Sequence, residues 1–142
     1  MNVKQALKVK NKLVADLKAQ YEILKKYNSI EEGNPRRYSM TDTLSKIKTL
    51  QAELVELKTK IHKANQPVYD RIFALAELKG MIKELKKVPT DEGKQESRYS
   101  STVSVKEVEL NVTDIDTSVS ILESQIEEIQ NELDVHNATT NI

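Results

Sequence analysis

Residues 40–65, MTDTLSKIKTLQAELVELKTKIHKAN, carry the most regular pattern in the chain. Ile47, Leu50, Leu54, Leu57, Ile61 and Ala64 recur at alternating three- and four-residue steps, which places them on one face of an α-helix. Sustained over successive heptads, that spacing predicts helix-on-helix packing of the coiled-coil kind. Ser39 or Thr41 can cap the start, and Asp42 in the first turn complements the helix dipole. About 26 residues make a rod roughly 39 Å long.

The same reading extends in both directions. Residues 2–28 form a first helix with a seam of Val3, Leu7, Val14, Leu17, Tyr21 and Leu24, interrupted by Lys10 and widened by Ala6, Leu13 and Tyr27. Asn28-Ser29 and Gly33-Asn34-Pro35 end it. Downstream, Asn65-Gln66-Pro67 reads as a sharp junction, with Asn65 capping the next helix and Pro67 in its first turn. A third helix then uses Val68, Ile72, Leu75, Leu78, Ile82 and Leu85 and stops at Val88-Pro89, with Gly80 inside it allowing a neighbouring helix to approach. Thr102 to Leu110 alternates β-branched and polar residues and predicts a short, bulged strand within about 101–110. Such a strand needs a partner: a local hairpin, the Pro35–Ser39 stretch, or a second subunit. A fourth helix follows an Asn111 or Thr113 cap, with Ile115, Val119, Leu122, Ile126, Ile129 and Leu133 as its seam and His136 at the next seam position. The tail from Asn137 to Ile142 shows no helical pattern.

The expected fold is therefore all-α. Four helices form antiparallel, coiled-coil-like hairpins in one domain of 142 residues, with a short β element between the third and fourth. Residues 1–65 make the first hairpin and 66–142 the second.

Composition narrows the function. There is no cysteine and no Trp, and Phe73 is the sole Phe. Disulfides, thiolate catalysis and thiolate metal sites are excluded. No apolar run approaches the roughly 20 residues of a membrane span, and the first residues lack a signal-peptide pattern, so a cytoplasmic protein without a membrane partner is expected. The net charge of +0 conceals a segregation. Over residues 1–28 seven lysines stand against Asp16 and Glu22, leaving +5; over 113–137 seven acids face no Lys or Arg, leaving −7. Two such helices would neutralise each other if they lay side by side, within one chain or between chains. A basic first helix could track nucleic acid, but an equally acidic stretch in the same chain would repel a phosphate backbone, so nucleic acid is not the expected partner.

One tripeptide occurs twice, as Arg37-Tyr38-Ser39 and Arg98-Tyr99-Ser100, each in a polar break ahead of a helical pattern. Apart from Arg71, every Arg lies in these two loops. Arg is suited to planar, bidentate contact with anions. If the loops converge, Arg36, Arg37 and Arg98 would face one ligand, Tyr38 and Tyr99 would stack on it, and Ser39, Ser100 and helix N-terminal amides would hold a phosphate. The structural alternative has Arg on helix C-terminal carbonyls or carboxylates, Tyr over the bundle end, and Ser as a cap. No catalytic constellation is visible: His62 and His136 lack a companion ligand at metal-site spacing, and Glu127-Glu128 diverge around a helix.

Ala74-Leu75-Ala76-Glu77, Ser97-Arg98-Tyr99-Ser100, the Val-rich strand, the regular fourth helix and the terminal Asn137-Ala138-Thr139-Thr140-Asn141-Ile142 together resemble the septicolysin family of small bacterial and phage-associated helical proteins. The chain departs from that pattern at Ala138 and Asn141, and its link around Asn65–Tyr69 is shorter. The resemblance implies a mostly helical, self-associating protein without an established biochemical activity. Cytolysis, which the family name suggests, is not carried over to a chain with no Cys and no membrane-inserting stretch. The expectation is a non-enzymatic homo-oligomer without cofactor or metal. The alternative is a module that binds an anionic small molecule, such as a nucleotide, at the Arg-Tyr-Ser loops.

Overall fold

The computed structural model describes residues 1–96 and 103–142. It is predominantly helical, with a small two-stranded sheet. The elements are α1 (Val3–Tyr27), α2 (Met40–Asn65), a 3-10 turn (Gln66–Val68), α3 (Tyr69–Leu85), β1 (Gly93–Glu96), β2 (Val103–Lys106) and α4 (Val112–Thr139). They fall into two compact units: Met1–Val68 with Asp134–Ile142, and Tyr69–Leu133.

The first unit rests on the α2 seam. Ile47, Leu54, Leu57 and Ile61 are buried, and Thr43 begins the same face with its hydroxyl donating to the Ser39 carbonyl at 2.8 Å. α1 runs antiparallel along this face. Ala6 packs on Leu57 and Ile61, with Leu7, Leu13 and Ile142 against the cluster, while at the other end Tyr27 meets Tyr38. Ser39 is the residue that caps α2, its Oγ accepting from the Asp42 N–H at 3.2 Å.

The N-terminus of α1 is closed by the far end of the chain. Val3 and Ala6 are completely buried. Asn2 and Gln5 form a reciprocal capping box. The Val3 N–H, which has no acceptor inside its own helix, donates to the Thr140 carbonyl at 2.9 Å, and the Ile142 N–H donates to the Met1 carbonyl at 3.0 Å. Asn2 and Asn141 form an antiparallel bridge, and the Asn2 side chain donates to the Ala138 carbonyl at 3.1 Å. The N-terminal donors of α1 thus meet the C-terminal acceptors of α4, the arrangement that helix dipoles favour.

In the second unit Asn111 caps α4. The Asp114 N–H donates to Asn111 Oδ1 at 2.9 Å, and the Asn111 N–H donates to Asp114 Oδ2 at 3.0 Å. Ile115, Val119, Leu122 and Leu133 are its buried face. Arg71 on α3 donates to Glu132 on α4 at 2.9 Å and also pairs with Asp70. Leu85 and Val88 lie beside Ile115 and Val119 around one small cavity, so α3 and α4 are antiparallel.

Three expectations change. No loop separates α2 from α3: Gln66 is right-handed helical, its N–H donates to the Lys63 carbonyl, and Gln66–Val68 is a single 3-10 turn. Helical residues therefore fall in three uninterrupted stretches among the described residues, not four separate helices. Pro67 permits this because a proline in the first turn forfeits only an N–H that would lack a partner. Second, α4 continues through Asn137-Ala138-Thr139, residues that show no helical pattern in the sequence. Third, the strand is shorter than 101–110. β2 ends at Lys106, and its partner is the local β1, in the register Gly93↔Lys106 to Glu96↔Val103.

Truncating Ile61 to Ala should lower unfolding free energy by about 2–4 kcal/mol, read by urea denaturation. Val55, which is 59% exposed on the opposite side of α2, should tolerate the same change within about 0.5 kcal/mol.

Candidate functional site

The Arg-Tyr-Ser loops are the site that the residue pattern singles out, and the structure describes the first of them. α1 ends at Tyr27 with Asn28 as its C-cap. The chain then turns through Gly33, whose φ of 88° lies in the left-handed region that glycine reaches without strain. It returns through Arg36 to Ser39 at the head of α2.

Each side chain has a definite task. Arg36 folds back over the end of α1, donating to the Tyr27 carbonyl at 2.8 Å and the Asn28 carbonyl at 3.0 Å. These are helix C-terminal acceptors with no partner inside the helix, and a cation there also complements the dipole. The Tyr38 ring packs on Tyr27 with centroids 5.0 Å apart and planes tilted by 54°. The ammonium of Lys26 lies 5.3 Å from the Tyr27 centroid. Ser39 is the helix cap already described. Arg37 differs: it makes no hydrogen bond or ion pair among the described residues.

Around these residues lies a shallow concavity of about 510 Å³, lined by Asn28, Arg36, Arg37, Tyr38, Ser39, Met40 and Thr41. Chemically it offers one free guanidinium, the hydroxyls of Tyr38, Ser39 and Thr41, and the first amides of α2. It does not offer a general base, a nucleophile with a base beside it, or a metal-ligand set. The second loop, Arg98-Tyr99-Ser100, lies outside the described residues.

His136 is engaged structurally. His136 Nε2 lies 3.2 Å from Asn65 Oδ1 and its Nδ1 lies 3.1 Å from the Thr140 hydroxyl, so both ring nitrogens hold the end of α4 beside the end of α2. Asn65, expected to cap a following helix, serves as a side-chain partner for His136. Arg71 is held charged, its pKa raised by hydrogen bonds from its guanidinium to Glu132 and Asp70. No grouping of three or more His, Asp or Glu side chains placed to hold a metal occurs among the described residues.

The residues missed at the sequence level are those of the terminal clasp: Asn2, Gln5, Ala138, Thr140 and Asn141. The Asn-x-x-Gln pattern at Asn2–Gln5 was a legible capping signal; the contacts of the tail were not, because they join residues at opposite ends of the chain.

No family model, curated protein or solved structure matches the chain.

Replacing Arg36 by Ala should lower the melting temperature, because two carbonyls at the end of α1 lose their donor. Arg37→Ala should leave it unchanged. Ser39→Ala should cost about 1 kcal/mol through loss of the cap. Thermal unfolding followed by circular dichroism compares all three.

Proposed function

We propose that the protein is a non-enzymatic, homo-oligomeric structural or interaction protein whose helices complete their packing in an assembly, coiled-coil fashion. The observation that carries this reading is α3. It bears Ile72, Leu75, Leu78, Ile82 and Leu85 at helical spacing, yet none of its residues is buried, and Phe73 and Met81 are 64% and 51% exposed. Tyr69 stacks on Phe73 with centroids 5.6 Å apart, and Ala76 and Gly80 continue that side of the helix. A Cβ added at Gly80 would meet nothing within 4 Å. An aromatic pair followed by two small residues is a surface that suits the close approach of another helix. Kinship with the septicolysin family and a cytoplasmic location belong to the same proposal; no helix among the described residues is long and apolar enough to cross a membrane.

A second reading draws on one observation, the unpartnered Arg37 beside the α2 N-terminus. There the Arg36–Ser39 loop captures an anionic small molecule such as a nucleotide, its phosphate on Arg37 and the first amides of α2. The other members of that loop have structural partners, which favours the scaffold reading.

Native mass spectrometry of gently purified protein tests both. Assembly predicts a mass of two or more whole chains, reduced to one chain by Phe73→Glu together with Met81→Glu. A monomer at all accessible concentrations contradicts it. Added mass that denaturation removes and Arg37→Ala abolishes would replace it with the ligand-binding reading.

A further inference from the structure

Two charged stripes on the outside of the helices match each other. On α1, Lys4, Lys8 and Lys12 follow at four-residue steps, and Lys18 and Lys26 lie on the same side. At 100° per residue this face points away from Ala6 and Leu13, which pack on the α2 cluster, and from Leu17 and Leu24 on the same side of α1. All five lysines are exposed, and none forms an ion pair among the described residues. On α4, Asp116, Glu123 and Glu127 follow at seven- and four-residue steps, and Asp134 continues the line. This face is about 100° around the helix from the buried Ile115, Val119, Leu122 and Leu133. Asp116, Glu123 and Glu127 are exposed and likewise form no ion pair among the described residues. Asp114, which accepts from the Asn111 N–H, and Glu132, which accepts from Arg71, lie elsewhere on the surface of α4.

The stripes are commensurate. Lys4 to Lys26 spans about 33 Å of helix and Asp116 to Asp134 about 27 Å. Each has small side chains between its charges, Ala15 and Ala19 on α1 and Ser120 on α4, so two such faces could approach closely.

Within the first unit α1 and the end of α4 are arranged in series along α2. His136 sits at Asn65, Ala6 at Leu57 and Ile61, and Asp16 and Gln20 beside Ser45 and Thr49. The bonds from Val3 to Thr140 and from Ile142 to Met1 fix the start of α1 at the end of α4, and α1 then leads away along α2. Neither the lysines of the α1 stripe nor Asp116, Glu123 and Glu127 of the α4 stripe are neutralised by an ion pair among the described residues.

We infer that a second copy of this chain supplies that neutralisation: the Lys4–Lys8–Lys12 face of α1 in one copy docks on the Asp116–Glu123–Glu127 face of α4 in another. This rests on the self-association proposed above and names a surface for it. Individual exposed ion pairs contribute little, so the stripes act together, steering encounter and fixing which helix meets which. The occupant is argued from the sign and spacing of the chain's own charges. A nucleic acid would be drawn to the lysines and repelled by the acids, whereas a second copy satisfies both.

Sedimentation velocity of the full chain between 50 and 500 mM NaCl tests the inference. The variants are Lys4, Lys8 and Lys12 all to Glu, and Asp116, Glu123 and Glu127 all to Lys, with helicity checked by circular dichroism. Wild-type association should weaken about tenfold or more across that salt range, as screened charges require. Each variant alone should be monomeric where the wild type associates, and an equimolar mixture of the two should associate again. Recovery in the mixture is a readout that misfolding of either variant cannot produce. If the wild type and both variants associate alike at every salt concentration, this interface is wrong while self-association stands. A wild type that is monomeric throughout overturns both. Retention of wild-type protein on duplex DNA, lost in the lysine variant with self-association unaffected, would assign the α1 face to nucleic acid.

Discussion

The structure depends on how the open end of α1 is closed. An α-helix leaves its first amides and its last carbonyls without intrahelical partners, and a helix end buried in that state is costly. α1 begins with two completely buried residues, Val3 and Ala6, so its N-terminus must be both dry and satisfied. The tail of the chain meets both needs. Ile142 packs on the Ala6–Leu57–Ile61 cluster, and the Thr140 carbonyl accepts the Val3 N–H. Asn2 works in both directions, capping α1 through Gln5 and donating to the Ala138 carbonyl at the end of α4. Complete burial of a residue such as Val3 contributes about 1.5–3 kcal/mol only if the adjoining backbone stays bonded. Apolar burial and polar closure at this point are thus one interaction.

The rest of the fold is thin by comparison. Among the described residues the buried apolar set is small, and large aliphatic side chains such as Val55, Ile121 and Val135 are well exposed. Order comes from local devices repeated at each helix end. Ser39 caps α2, Asn111 and Asp114 cap α4, and Arg36 covers the end of α1. No buried side-chain nitrogen or oxygen lacks a partner among the described residues. A chain that satisfies its helix ends internally yet leaves apolar and charged faces open is suited to building with other helices, which is the function proposed for it.

Local features were legible in the sequence and long-range ones were not. The α2 seam predicted a helix whose Ile47, Leu54, Leu57 and Ile61 are buried, since side-chain periodicity records directly which face leaves water. The caps could be narrowed to Ser39 or Thr41 and to Asn111 or Thr113 because a cap acts three residues away, and Ser39 and Asn111 are the ones that bond. Pro67 was read as part of a first turn, and it lies in the 3-10 turn Gln66–Val68 that leads into α3, where a proline costs no hydrogen bond. The partner of β2 stood open among three candidates, because a pattern of alternation specifies a face and not a neighbour. At the Arg-Tyr-Ser loop, residue types alone fit ligand capture and helix capping equally well. Geometry separates them for Arg36, Tyr38 and Ser39, which serve the helix ends, and leaves Arg37 as the unengaged cation of the loop. The roles of Asn2 and Asn141 depend on contacts between the two termini, which no local window contains.

Hydrogen exchange at the Val3 and Ile142 amides, measured by NMR on the uniformly labelled chain, is the most direct test of this account. Both sit within three residues of a terminus, where an unattached chain frays and exchanges at close to the free-peptide rate. The clasp predicts protection at both positions comparable to that of the Leu57 and Ile61 amides in the middle of the same core. Exchange at the free-peptide rate, with Leu57 and Ile61 still protected, would show that the core stands without the clasp and would contradict the central role assigned to it.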